Sequence, residues 1–208
     1  MHSHKREFYM KHRKLKTEVR RAQIVNAAFE IIAKNGVKAL TIASIAERVE
    51  IANSNVYRHF SSKQEVIDAI ITQIEHSLQQ ILSQSLRKYS LPSKSLEVIF
   101  FSHIEFIEKH KGILRIVFSD DMYSGNKKVI MRLKNIMKKY RSQIKKILSL
   151  GILNNEFDPN LDIEAASIVF LGLIQSIMLQ WRLFGYSFSP KKKGKQIWNV
   201  YLRGILLR

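Results

Sequence analysis

The sequence predicts an all-α protein, and three observations predict it. Apolar residues recur at helical spacing over long segments with few breaks. Three prolines and eight glycines in 208 residues leave little room for a strand-and-turn architecture. A hydrophobic fraction of 46% supplies a sizeable core, enough for one domain of ordinary size or a small domain fused to a larger one.

The expected elements follow in order, about nine helices in all. Residues 1–16 read as a basic arm, since eight bases stand against two acids between positions 1 and 21. The first helix is expected over 17–35, with Ile24, Ala28, Ile31 and Ile32 on one face and Gly36 as a left-handed stop. The second begins at Thr41, a good N-cap, and carries Ile42, Ile45, Ala46 and Val49 at i, i+3, i+4 and i+7 spacing. Residues 50–52 make a turn, and Asn53 is placed to cap a third helix that reaches Phe60. Ser62 and Glu65 have the spacing of a capping box that opens a long fourth helix to Lys88. Further helices are expected over 93–109, 112–118, 127–150, 161–184 and 194–207, with a polar loop at 119–126 and a lysine-rich loop before the ninth.

Charge and composition narrow the function. The chain has 35 Lys and Arg against 17 Asp and Glu, a formal charge of +18. Such an excess points to a polyanionic partner, nucleic acid before an acidic membrane surface, with a plain lysine-rich surface as the bland alternative. The absence of cysteine excludes disulfides, thiolate zinc sites and thiol redox sensing, and fits a cytoplasmic protein. The basic N-terminus has no apolar core of a secretory signal. The most apolar run, 165–181, is interrupted by Gln175 and Gln180, so it reads as a buried helix rather than a membrane span.

The segment 40–63, LTIASIAERVEIANSNVYRHFSSK, reads as two short helices joined by a tight turn. Ile51, Val56 and Phe60 are its expected core contacts. They leave Asn53, Ser54, Asn55, Tyr57, Arg58 and His59 facing outward. A helix with that surface suits the major groove of DNA, where Asn pairs with adenine and Arg with guanine. Tyr57 and His59 suit phosphates or base edges. Thr41 and Lys63 begin helices whose free N–H groups favour phosphate.

This stretch resembles the N-terminal domain of the TetR/AcrR family of bacterial repressors. The resemblance rests on LTIASIAERV, then NSNVYRHFSSKQEVIDAI, and most on Val56-Tyr57-Arg58-His59-Phe60 followed by Lys63. It covers residues 17–71. The family implies backbone-contacting roles for Thr41, Tyr57, His59 and Lys63, and base-reading or adjacent roles for Asn53, Ser54, Asn55 and Arg58. One departure stands out: the turn commonly carries Gly where this chain has Glu50. Its carboxylate is expected to turn toward the first helix, to Lys34 or Lys38.

The resemblance divides the chain into a basic arm (1–16), a helix-turn-helix DNA-binding domain (17–64) and a helical effector-binding and dimerisation domain (65–208). The eighth helix is apolar nearly all round and has to be covered, with Ala165, Ala166, Ser167, Gly172 and Ser176 allowing close approach. With the ninth it resembles the family's four-helix dimer face, and a two-fold dimer predicts a palindromic operator. Isolated polar groups on apolar faces suggest a pocket for a small hydrophobic or amphipathic effector, with Phe100, His103, Phe106, Phe118, Met137, Tyr140, Gln175 and Met178 as candidates, each also an ordinary core residue on a blander reading. The seventh helix carries nine bases and no acid, a solvated face or an attractor of anionic effectors.

Enzyme chemistry finds no support. Gly-rich phosphate loops, HExxH and GxSxG are absent, and no cofactor is implied. His103 and His110 do not share a helix face, so no metal site is expected. The sequence thus predicts a ligand-responsive DNA-binding regulator, a repressor released by its effector. The alternative is a nucleoid-organising DNA-binding protein without an effector.

Overall fold

The computed structural model describes residues 2–117 and 127–207, with side chains described from Lys16 onward. Its α-helices are α1 (His2–Asn35), α2 (Ile42–Val49), α3 (Asn53–Tyr57), α4 (Lys63–Lys88), α5 (Pro92–Lys109), α6 (Gly112–Val117), α7 (Lys127–Leu153), α8 (Ile163–Leu183) and α9 (Pro190–Ile205). A 3-10 turn covers Val37–Ala39. No strand occurs among the described residues, only one isolated bridge between Phe157 and Leu206. The all-α expectation holds. Two compact units share the chain: 1–72 with 111–125, and 73–110 with 126–208. The boundary falls inside α4. Helix α6 groups with the first unit although it follows α5 in sequence.

In the first unit, α1 buries Ile24, Ala28, Phe29 and Ile32. Gly36 ends it at φ 85° and ψ 173°, a region essentially open only to glycine. The Thr41 hydroxyl oxygen accepts from the Ser44 N–H at 2.9 Å, and the Ser44 hydroxyl oxygen accepts from the Thr41 N–H at 2.9 Å. That reciprocal box starts α2, with Ser in the place usually held by Glu or Gln. Helix α6 packs on α1, and at Gly112 a Cβ would overlap the Phe29 carbonyl, so the two backbones meet because that position has no side chain.

Several boundaries differ from the sequence expectation. Helix α1 starts at His2 rather than residue 17, and no proline or glycine interrupts the basic segment. Helix α3 stops at Tyr57, and Asn53 is its first helical residue rather than its cap; Ala52 precedes it with no side-chain cap bond. Helices α5 and α9 start on Pro92 and Pro190, at the first helical position where a missing N–H costs nothing. Ser189 caps α9 by accepting from the Lys192 N–H at 3.3 Å. The lysine-rich loop is therefore partly the first turn of that helix.

The second unit centres on aromatic rings from α5, α8 and α9. Phe100 and Trp198 lie 5.4 Å apart between centroids, and Phe170 and Tyr201 5.7 Å apart. The Tyr201 hydroxyl donates to the Ala166 carbonyl at 3.0 Å, which joins α9 to α8. Asp162 caps α8 by accepting from the Ala165 N–H at 3.0 Å. Helix α8 is long and apolar enough, by length and composition, to cross a membrane. Here it packs against α5, α7 and α9, and buries Phe170, Ile174, Ile177, Met178 and Trp181. Among the described residues nothing covers its other face: Ile168, Val169, Leu179 and Leu183 are exposed.

Candidate nucleic-acid interface and effector region

Helix α3 is held from beneath. Val56 and Phe60 are buried, Ile51 partly so. Asn53, Ser54, Asn55, Tyr57 and Arg58 are exposed, as the sequence predicted. The turn before α3 is a complete Schellman motif. The Ile51 N–H donates to the Ala46 carbonyl at 3.0 Å, and the Glu50 N–H to the Glu47 carbonyl at 3.2 Å. Glu50 occupies the left-handed position that glycine favours, at φ 57° and ψ 49°. Its side chain shares an open cleft with Lys34, on the side of α1 that the sequence suggested. Arg48 pairs with Glu30 and so ties α2 to α1.

Arg21 fixes the far end of α3, a role the sequence did not reveal. Its guanidinium donates to the His59 carbonyl and lies 4.0 Å from the centroid of the Phe60 ring. It also stands 3.7 Å from the Glu65 carboxylate. Glu65 accepts from the Ser61 N–H at 2.7 Å and the Ser61 hydroxyl at 2.9 Å. Those Ser61 bonds come first, and Arg21 after them, in lowering the Glu65 pKa below its ordinary value. The capping box is thus half formed as expected: the Ser62 hydroxyl oxygen accepts from the Glu65 N–H at 3.2 Å, while Glu65 turns to Ser61. Arg21 was legible only as one more charge of the arm. A cation, a ring and a carboxylate separated by 38 and more positions have no local spacing to read.

His59 is partly buried, with Nδ1 sealed from water and unpartnered. Burial lowers its pKa first, and the positive charges of Arg21, Arg58 and Arg20 lower it further. The imidazole is therefore neutral at neutral pH, and three arginines gather around the end of α3. Thr41 is exposed at the start of α2, its hydroxyl engaged in the box with Ser44. The Lys63 ammonium donates to the Val37 carbonyl at 3.1 Å. It staples α4 to the 3-10 turn instead of projecting freely.

The effector candidates scatter more widely. Phe100 and Met178 are fully buried. Phe106 and Met137 are partly buried, and Phe106 meets His110 edge-on at 5.3 Å. Gln175 is exposed, so it faces away from the interior where the sequence reading put it; the exposed stripe of α8 carries it outward. Phe118 lies outside the described residues. His103 and Tyr140 do come together, with ring centroids 5.3 Å apart at 78°. The His103 Nδ1 and the Tyr140 hydroxyl are both sealed from water and without a partner. Burial lowers the His103 pKa to about 4 and raises that of Tyr140. Tyr140 also lines a cleft of about 170 Å³ between α4 and α7, beside Leu78, Leu82 and Ile136.

Fold and site together define a helix-turn-helix DNA-binding protein with an appended helical domain. Residues 24–70 match the profile described as bacterial regulatory proteins, tetR family, and residues 77–204 that described as YsiA-like protein, C-terminal region. The chain belongs to the TetR family, whose members are DNA-binding transcriptional regulators and not enzymes. It is 20% identical to the nucleoid occlusion factor SlmA of Marinomonas sp. (strain MWYL1), over 90% of this chain and 95% of that protein. It is 22% identical to the fatty acid metabolism regulator protein of Bacillus subtilis (strain 168), over 88% and 94%. The crystal structure of the transcriptional regulator FadR from Bacillus subtilis, in complex with stearoyl-CoA, superposes with a TM-score of 0.75 at 20% identity, covering 88% of this chain and 98% of that one.

Proposed function

We propose that this protein is a dimeric repressor that binds a palindromic operator and is released by a small hydrophobic or amphipathic effector. The carrying observation is α3: a helix whose exposed side chains are Asn53, Ser54, Asn55, Tyr57 and Arg58, anchored by Val56, Phe60 and Arg21. Base edges are read by Arg58 and the asparagines, while Tyr57, Thr41 and the arginine cluster position the phosphates. The uncovered stripe of α8, with Ile168, Gly172, Ser176, Leu179 and Leu183, continues onto α9 as a face for a second copy. A two-fold axis there presents two reading helices to an inverted repeat.

The effector enters the second unit and binds one of two arrangements better, which is the only way a ligand shifts an equilibrium. The stearoyl-CoA held by the Bacillus subtilis regulator supports an acyl-type effector. So does the basic face of α7, which carries Lys134, Lys138 and Lys146.

Selection of a random duplex library at near-physiological salt tests the reading. An enriched inverted repeat is expected. A bound pool with no motif and a steep salt dependence would overturn it. That outcome would favour the second reading, a nucleoid-organising protein without an effector, which the similarity to nucleoid occlusion factor SlmA supports.

A further inference from the structure

The cleft between α4 and α7 has a charged mouth and an apolar wall. Glu75 stands at the mouth, 3.6 Å from Arg132 and 3.5 Å from Lys139. Both bases project from α7, and Lys139 lines the cleft together with Glu75 itself. The Glu75 side chain is 24% exposed and Lys139 71%, so the acid sits inside and the ammonium outside. Behind them, Leu78 and Leu82 of α4 face Ile136 of α7. Tyr140 also lines that wall and its ring meets the His103 ring edge-on at 5.3 Å, while its hydroxyl and the His103 Nδ1 are each sealed and without a partner. Two buried polar atoms without partners each carry an uncompensated desolvation cost.

We propose that this cleft binds an organic anion with an apolar tail, and that Glu75 is the built-in competitor for its head group. The proposal rests on the reading of the second unit as an effector domain. A carboxylate or phosphate on the ligand takes the place of the Glu75 carboxylate between Arg132 and Lys139. The tail lies along Leu78, Leu82 and Ile136. A cavity of about 150 Å³ admits a molecule the size of benzene, so the cleft's volume of about 170 Å³ takes the first part of such a tail without rearrangement. A longer tail reaches the Tyr140 ring. In the free protein Glu75 neutralises the mouth, which keeps unrelated anions out and ties α4 to α7. Displacing it unties that pair, so the ligand's charge, and not its bulk alone, reports binding to the rest of the unit.

Calorimetric titration of the full-length protein with octanoate, octyl phosphate and 1-octanol tests this. Both anions are expected to bind more tightly than the alcohol. Glu75→Gln is expected to strengthen anion binding about three- to fivefold, the worth of one partly exposed ion pair, and leave 1-octanol unchanged. Arg132→Gln with Lys139→Gln is expected to weaken anion binding about five- to tenfold and remove the preference over the alcohol. Lys195→Gln, on the exposed side of α9, is the control and is expected to change nothing. Equal binding of anion and alcohol, no binding of any probe, an unchanged ratio in Glu75→Gln, or an equal loss in Lys195→Gln would each overturn the proposal. The titration contains no DNA, so its failure leaves the operator reading standing, and a failed operator selection leaves this site standing.

Discussion

Helices α3 and α8 each leave a face uncovered, and they leave opposite chemistries there. The α3 face is Asn53, Ser54, Asn55, Tyr57 and Arg58. The α8 face is Ile168, Val169, Leu179 and Leu183. Water solvates the first at no cost, so that face can wait for a partner that competes through hydrogen bonds and charge. Water does not solvate the second, and each Å² left wet forgoes about 25 cal/mol. The difference matches the two proposed partners, an intermittent polyanion for the first surface and a standing apolar partner for the second. Salt is the discriminating variable, since counterion release governs the first and has little bearing on the second.

The largest test strikes the apolar face. Ile168→Lys with Leu183→Lys removes two side chains from each copy, each worth about 1.5–3 kcal/mol when buried. Sedimentation is expected to show the dimer weakened by at least about a thousandfold. A dimer unmoved by both lysines would place its interface elsewhere.

A second test concerns a polar group that is inside rather than outside. Burial lowers the His103 pKa to about 4 from an ordinary 6.5. Above pH 6.5 the imidazole is neutral in both folded and unfolded chains, so the full stability is present. As pH falls from 6.5 toward 4 the unfolded chain takes up a proton that the folded one refuses, and stability is lost, by up to about 3 kcal/mol. Urea unfolding of His103→Gln is expected to show a flatter profile over that window. Parallel profiles would mean that His103 is protonated in the folded protein.

Arg58→Ala sharpens the contrast further. Operator affinity is expected to fall about ten- to hundredfold, with the melting temperature unchanged because the side chain is exposed. Lys63→Ala should do the reverse, lowering the melting temperature through the lost bond to Val37 more than it lowers affinity. A drop in stability for Arg58→Ala would show that the reading face also holds the fold.

The smallest effect lies at the turn. Glu50 sits in left-handed backbone that a side chain occupies at a cost of about 1 kcal/mol. Glu50→Gly is expected to raise stability by about 0.5–1 kcal/mol in thermal unfolding, less the extra freedom glycine brings to the unfolded chain. A loss of stability would mean that the carboxylate contributes a favourable interaction with α1.

Much of this was written locally. The periodicity of Ile24, Ala28 and Ile32, the stop at Gly36 and the cap at Thr41 are each decided within one or two turns of chain, and the structure follows them. The alternation of buried Val56 and Phe60 with exposed Tyr57 and Arg58 was legible for the same reason. What escaped depends on partners far along the chain. The Arg21 bond to His59 joins α1 to the turn after α3, and the Lys63 bond to Val37 crosses 26 positions. Gln175 was misjudged because an apolar helix gives no local sign of which face the rest of the unit covers. The start of α9 on Pro190 was legible in the Ser189 that caps it, but the run of lysines after it reads as a loop.

The division of labour in α3 also bears on engineering. Val56, Phe60 and Arg21 do the holding; the side chains of Asn53, Ser54, Asn55 and Arg58 are exposed and take no part in it among the described residues. Side chains free of structural duty can be exchanged as a block. A library randomised at those four positions keeps its scaffold in nearly every member, so a selection acts on sequence preference alone. The same separation lets duplicated copies of such a chain acquire new targets by drift at a handful of codons, without passing through unfolded intermediates.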